Sequence, residues 1–216
     1  MTWKNEQVSE KETARILELA RECLDVSGDY VEMGCYKGDT SLLLADIIFS
    51  GSRRSRPSPR GERANPRAGA LRNTQKRQYP ANNHRLFIYD SFEGLPEKSA
   101  NDESVLGANF KSGELLVTKR EVKERFLRAE LPVPVIKKAW FKDLTSDDLP
   151  SEIAFAFLDG DFYESIRDSL KLVVPKMNDK GVIVVHDYNN PALPGVKKAV
   201  DEWRQNKKIG FRLVLL

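Results

Sequence analysis

Three short runs in this chain are almost wholly apolar, and each leads straight into an acid. They are Leu86-Phe87-Ile88-Tyr89 before Asp90, Ile153–Leu158 (IAFAFL) before Asp159, and Gly181–Val185 (GVIVV) before His186-Asp187. Such runs are too short for core helices and are rich in β-branched and aromatic residues, so they read as strands. They lack the apolar–polar alternation of a half-exposed strand, so both of their faces must be covered. That condition is met by a parallel sheet with helices on both sides. Helical patterns fall between the runs, which makes the expected fold an α/β, Rossmann-like, mostly parallel sheet. In an open sheet of this kind ligands bind at the carboxyl ends of the strands. Asp90, Asp159 and Asp187 all arrive there, and stability alone gives little reason for three acids to gather at one edge.

The other elements fit this frame. Ser9–Leu24 has helical apolar spacing, with Ser9 as a cap and Gly28 beyond its end. Tyr30–Met33 is a short strand, Gly34–Gly38 a glycine-bounded turn, and Asp39-Thr40 caps a helix over Ser41–Phe49. Further on, the pattern predicts loop over Ser91–Leu106, helix over Glu121–Leu131, strand over Val133–Trp140, helix over Tyr163–Val174, helix over Val196–Gln205 and a last strand over Phe211–Leu216. Six strands can be counted. The 216 residues are read as a single domain, 1–216.

One segment breaks the pattern. Gly51–Arg85 carries ten basic residues and one acid, Glu62, and has almost no large apolar side chain. It is read as a flexible Arg/Pro/Ser-rich insertion, 51–85, with His84 at its end and outside any catalytic role. The whole chain carries +3, so the remainder carries −6, and the folded part is not expected to bind nucleic acid. No run of residues is long and apolar enough for a membrane span, and MTWKNEQVSEKE lacks the apolar core of a secretory leader. The two cysteines, Cys23 and Cys35, form no CxxC, so a reducing cytoplasm is the expected setting.

The glycine turn reads E-x-G-x-x-x-G (Glu32, Gly34, Gly38) between a strand and a helix. Glycines let backbone approach a ligand, and the helix start offers free N–H groups. The turn is neither a G-x-G-x-x-G fingerprint nor a Walker A loop, which favours a nucleoside over a pyrophosphate and weakens an NAD-dependent dehydrogenase reading. Asp90 lies 58 residues after Glu32, or 23 with the 35-residue insertion removed. That is near the roughly 20 residues at which a second-strand acid meets ribose hydroxyls. A tight turn followed by an exposed strand-end Asp has the same spacing. Asp159 and Asp187 follow successive strands and could share a hard ion such as Mg²⁺. His186, beside Asp187, is a candidate ligand or base. Equally, both acids could only cap helices or hold loop amides.

With these residues in view, VEMGCYKGDTS, LFIYDSFEGLPEKS, KKAWFKDLTSDDLP, FAFLDGDFYESIRDSL and GVIVVHDYNNPALPGVKKAVDEW resemble the class I S-adenosylmethionine-dependent methyltransferases. The closer resemblance is to the macrocin O-methyltransferase (TylF-type) group, and it covers most of the chain apart from the insertion and the extreme N-terminus. D-S-F-E-G-L-P and L-D-G-D-x-Y-E-S are its specific parts. The resemblance implies a seven-stranded fold, bound S-adenosylmethionine, and methyl transfer to a hydroxyl of a sugar or other small natural product with help from a divalent ion. It places Glu32, Gly34 and Gly38, with Cys35, Tyr36 and Thr40, around the methionine part of the cofactor. Asp90, with Ser91, falls at the ribose, and Trp140 and Phe141 beside adenine. Asp159 and Asp187 fall at metal ligands, so that Asp159, His186 and Asp187 are the candidate catalytic and metal set, with Asp159 also near the cofactor. The group usually has an acid where this chain has His186, has no Arg-rich insertion here, and has one more strand beyond FRLVLL. A metal-independent small-molecule methyltransferase and a non-catalytic cofactor-binding protein are the alternatives. The expected partner is a small-molecule hydroxyl acceptor, and a homo-oligomer is compatible with this reading.

Overall fold

The computed structural model describes residues 7–54, 84–205 and 209–216. Its strands are β1 (Asp29–Met33), β2 (Leu86–Asp90), β3 (Val135–Lys138), β4 (Ile153–Leu158), β5 (Met177–Val185) and β6 (Arg212–Leu215). Its helices are α1 (Glu10–Glu22), α2 (Asp39–Arg54), α3 (Lys119–Arg128), α4 (Tyr163–Val173) and α5 (Pro194–Arg204). The strands form one six-stranded sheet in the order β3-β2-β1-β4-β5-β6, and every pairing is parallel. From β1 the chain winds outward through β2 and β3, then returns to the far side of β1 and winds outward through β4, β5 and β6. The direction reverses between β1 and β4, where an open sheet leaves a crevice above its strand ends. Register keeps those ends level, since Met33 pairs with Tyr89 on one side and Leu158 on the other, and Leu158 pairs with Val185.

The apolar runs are divided between two cores, as alternating side-chain direction requires. Tyr30, Ile88, Phe155, Phe157 and Val184 pack on the face that α1, α2 and α3 cover. Val31, Met33, Tyr89, Ala156, Leu158, Ile183 and Val185 pack on the face that α4 and α5 cover. Two helices start at capping boxes. Ser9 and Glu12 cap α1 reciprocally, and Thr118 and Glu121 do the same for α3.

Several boundaries differ from the sequence expectation. Thr118 starts α3 earlier than expected, and α3 and β3 both end early, as the chain turns at Ala129 and again after Lys138. Asp39 is the first residue of α2 rather than its cap, and β5 begins at Met177 through an irregular register against β4. The expected insertion 51–85 is trimmed at both ends. Gly51–Arg54 continue α2, whereas His84 and Arg85 belong to the fold. His84 is buried with its two ring nitrogens 2.6 Å from the Gly28 carbonyl oxygen and 2.8 Å from that of Leu24. Its ring also meets Tyr30 edge-on at 5.3 Å. Next to it, the Arg85 side chain donates to Asp29 at 3.3 and 2.8 Å, and the Arg85 backbone N–H donates to the same carboxylate at 2.7 Å. The rest of that segment, 55–83, lies outside the described residues.

His84 thus fastens the start of β2 to the turn that closes α1. His84→Ala removes the imidazole that bridges the Leu24 and Gly28 carbonyls and the buried ring that packs on Tyr30, and unfolding in urea is expected to show a loss of about 1–3 kcal/mol. An unchanged midpoint and slope would mean that these contacts contribute nothing net.

Candidate functional site

The crevice is built where β1 and β4 end. Gly34 has φ +89, and a Cβ on it would lie 2.1 Å from the Asp159 carbonyl oxygen, so no other residue fits. The Asp159 N–H donates to the Met33 carbonyl at 2.9 Å, and the Gly34 N–H to that of Tyr89 at 2.9 Å. The glycine is therefore required by strand-end packing as well as by any ligand. Gly38, at φ +79, is needed for its backbone, and its missing side chain faces Val122 and Ser41 rather than the cavity. Arg125 of α3 clamps the turn from outside, donating to the Lys37 carbonyl and pairing with Asp39.

Asp90 closes the turn from β2. One oxygen accepts from the Cys35 N–H at 2.8 Å and the Tyr36 N–H at 3.4 Å, and the other accepts from the Phe92 N–H at 2.7 Å. A carboxylate has about four acceptor positions, so one remains for a ligand hydroxyl. Asp90 thus both shapes the loop and faces the cavity. Beneath them Glu32 is 1% exposed and accepts a hydrogen bond from Ser41. Burial, with smaller contributions from Asp159, Asp90 and Asp39, pushes its carboxyl up to about 8.

On the β4–β5 side His186 stands between two acids. Its Nδ1 lies 3.0 Å from an Asp159 oxygen and 2.8 Å from an Asp187 oxygen. One donor atom from each of the three residues falls within 4.8 Å of the others, giving two carboxylate oxygens and an imidazole nitrogen that suit a divalent ion. With no ion there, burial pulls His186 down but Asp159 and Asp187 more than offset it, raising the imidazole to about 11. Burial works to raise Asp187 too, yet its bonds with His186 and Asn190 hold it below its usual value. Asp187 is fixed in a left-handed backbone conformation at φ 59.

Asp161 is the functional candidate that sequence reasoning passed over. It too sits at φ 59 and lines the cavity, two residues past Asp159. Burial first, then Asp159 and Asp187, raise its carboxyl well above the ordinary range. The signal for it in the sequence is the second acid of Leu158-Asp159-Gly160-Asp161, at the end of the same strand.

The expected site residues fall into two groups. Glu32, Gly34, Cys35, Tyr36, Thr40, Asp90, Ser91, Asp159, His186 and Asp187 all line one cavity. Phe110, Leu115 and Leu193 give it apolar walls, and Gln7 and Val8 reach it from the chain's N-terminal side. Gly38 supports that cavity without lining it. Trp140 and Phe141 line a second hollow, with Glu93 and Phe162, that adjoins the first through Leu95 and Pro96.

The family model for macrocin O-methyltransferase (TylF) matches residues 67–214. Over 211 residues the chain is 25% identical to the demethyldecarbamoylnovobiocin O-methyltransferase of Streptomyces niveus, covering 93% of this chain and 69% of that protein. Over 184 residues it is 26% identical to the 8-demethyl-8-(2,3-dimethoxy-alpha-L-rhamnosyl)-tetracenomycin-C 4'-O-methyltransferase of Streptomyces olivaceus, covering 83% of this chain but only 59% of that protein. Among solved structures, the O-methyltransferase NovP aligns with TM-score 0.67 at 25% identity, over 90% of this chain and 71% of its own. The calicheamicin methyltransferase CalS11 shares the fold, with TM-score 0.64 at 17% identity over 93% of this chain and 72% of its own.

The buried Glu32 makes a prediction about pH. Its carboxyl keeps its proton in the fold up to about 8 but ionises at 4.5 when exposed. Between those values the folded state binds the extra proton, so its contribution to stability is complete at low pH and is lost as pH rises towards 8. His186, raised from 6.5 to about 11, acts in the same sense over the higher range. Urea midpoints of the wild type are expected to fall between about pH 5 and pH 8, and Glu32→Gln is expected to flatten that decline. An equal slope in both proteins would count against a neutral Glu32.

Proposed function

The chain belongs to the macrocin O-methyltransferase (TylF) family of S-adenosylmethionine-dependent O-methyltransferases, and we propose that it methylates a sugar hydroxyl on a small glycosylated acceptor with help from a divalent ion. One observation carries this reading. The turn after β1 with Asp90, and the Asp159–His186–Asp187 cluster, line the same cavity, so a cofactor half and an ion half face each other. The sugar acceptor is supported by one relative, named for a rhamnosyl tetracenomycin, and a small-molecule acceptor by another, named for demethyldecarbamoylnovobiocin. The apolar walls at Phe110, Leu115 and Leu193 suit the body of such an acceptor.

When bound, S-adenosylmethionine supplies a methyl group on a sulfonium, and a divalent ion supplies a positive charge that acidifies and orients a hydroxyl. The chain's own residues bind and position. The turn from Gly34 to Thr40 would hold the methionine part of the cofactor, and the remaining acceptor position of Asp90 its ribose, with Ser91 beside it. Asp159, His186 and Asp187 hold the ion. Asp161 borders the same space, and in its ionised form it would take the acceptor's hydroxyl proton. Alignment of acceptor and methyl donor provides most of the acceleration in a displacement of this type. Cys35 has no covalent role. Burial and the nearby Asp90 push its thiol well above the usual range, so no thiolate nucleophile is available.

We place the protein in the cytoplasm. Cys23 and Cys35 are both free and buried, and no described helix is long and apolar enough to cross a membrane.

Calorimetry with S-adenosylhomocysteine, and turnover on rhamnosylated aromatic acceptors, test the reading together. Binding is expected in the wild type, and Asp90→Ala is expected to weaken it about ten- to hundredfold through lost charged hydrogen bonds. Chelation is expected to stop turnover while leaving S-adenosylhomocysteine bound. Asp161→Asn is expected to lower kcat by roughly 10²–10⁴-fold with cofactor affinity kept, the usual range for a lost proton acceptor. Failure to bind S-adenosylhomocysteine would sink the whole reading, and full turnover in chelator would remove the ion from it.

A further inference from the structure

We infer that the Asp159–His186–Asp187 cluster selects an imidazole-seeking divalent ion of the first transition row, Fe²⁺, Co²⁺, Ni²⁺ or Zn²⁺, over Mg²⁺. The inference rests on reading that cluster as the ion site of an O-methyltransferase, and it names the class of ion that the site takes. The reason lies in the donor set. Mg²⁺ is a hard ion that prefers oxygen and binds imidazole poorly, whereas ions from Fe²⁺ to Zn²⁺ accept imidazole nitrogen readily. Here the third donor is His186 in place of a further acid.

Geometry makes His186 a ligand rather than a bystander. Its Nδ1 is the atom aimed at both carboxylates, 3.0 Å from Asp159 and 2.8 Å from Asp187. Neighbouring donors on an octahedral ion with bonds of about 2.1 Å lie about 3.0 Å apart, which matches the two spacings from His186, and the two carboxylates lie within 4.8 Å of each other. The backbone holds the ring in this direction. His186 follows β5, its N–H donates to the Leu158 carbonyl at 3.0 Å, and its ring packs against Phe157 with centroids 6.0 Å apart. The far nitrogen, Nε2, faces Glu12 of α1 at 3.9 Å. A metal-bound histidine typically turns its other ring nitrogen toward a carboxylate, and Glu12 is the carboxylate on that side, at 3.9 Å and so beyond direct hydrogen-bond reach. Glu12 is itself held by Ser9, whose backbone N–H and hydroxyl both donate to the same Glu12 oxygen, at 3.2 and 2.5 Å. The capping box that starts α1 therefore also fixes a carboxylate behind the ligand.

Nearly every site binds Co²⁺ more tightly than Mg²⁺, so the diagnostic quantity is the ratio of the two affinities and its change when the imidazole is replaced. Metal-free protein saturated with S-adenosylhomocysteine is titrated calorimetrically with MgCl₂ and, separately, with CoCl₂, for the wild type and His186→Asp. The Co²⁺-to-Mg²⁺ affinity ratio is expected to be at least about tenfold larger in the wild type, with Mg²⁺ binding strengthened in the variant. A second readout needs no variant. Proton NMR of the Co²⁺ complex is expected to show one strongly shifted, exchangeable imidazole N–H resonance, that of His186. His84, the other histidine, lies at the opposite end of the strands beside Gly28. An equal ratio in the two proteins, or a Co²⁺ complex without the shifted resonance, overturns the inference while the O-methyltransferase reading stands. Failure of every ion to bind overturns the inference and the ion-assisted reading together. Loss of S-adenosylhomocysteine binding in the wild type marks failure of the methyltransferase reading itself.

Discussion

The contact on which the rest of the site depends is between two backbones. Gly34 closes against the carbonyl of Asp159 so tightly that a Cβ would lie 2.1 Å from it. That approach is what lets β1 and β4 end side by side at the reversal of the sheet, with the Asp159 N–H on Met33. The turn after β1 and the acids after β4 then open into one cavity. A side chain at position 34 would drive the two ends apart and separate the turn after β1 from the acids after β4. The left-handed conformation there would strain any other residue as well.

Bringing strand ends together also brings negative charge together. Glu32, Asp90, Asp159, Asp161 and Asp187 border one hollow, with His186 among them. The fold deals with this crowding in different ways at different places. Asp90 is satisfied by three backbone N–H groups, Asp187 by His186 and Asn190, and Glu32 keeps a proton and accepts from Ser41. Asp161, partly buried with Asp159 and Asp187 nearby, has its carboxyl raised well above the ordinary range. A cavity of this sign favours cationic ligands, and both a sulfonium and a divalent ion fit that electrostatic demand.

The sheet and its acids were legible in the sequence because the cause is local. Runs such as IAFAFL and GVIVV are apolar at every position only if both faces are covered, and the acid just past each run necessarily emerges at the sheet edge. The ends of the insertion were not legible, for the opposite reason. His84 and Arg85 look like the tail of an Arg-rich stretch, but their partners, Leu24, Gly28 and Asp29, lie more than fifty residues earlier in the chain. Only the pairing of β1 with β2 brings them together. Trp140 and Phe141 are marked out by a motif, and motif position cannot say on which side of Leu95 and Pro96 a side chain falls. Asp161 was visible as a letter. Its environment depends on Asp159 and Asp187 meeting beside it at the ends of two strands, which no spacing rule reports.

The cavity wall formed by Phe110 and Leu115 is held by another buried acid, Asp102. Asp102 is 1% exposed, in the long loop between β2 and α3. One of its oxygens accepts from the Tyr163 N–H at 2.6 Å and so caps α4, while the other accepts from the Ser99 N–H at 3.0 Å and the Ser99 hydroxyl at 2.6 Å. Gly195 of α5 packs so close to this carboxylate that a Cβ there would meet it at 1.8 Å. Nearby, Ser104 donates to the Pro191 carbonyl at 2.9 Å, which ties the same loop to the segment after Asp187. The loop that supplies Phe110 and Leu115 to the cavity wall is therefore fastened at Asp102 to the helix after Asp161, and at Ser104 to the turn after Asp187. Any shift of that wall must move against the elements that carry the acids. This coupling keeps the apolar wall in register with the charged cluster, while Val105 and Leu106, 93% and 67% exposed, stand outside it.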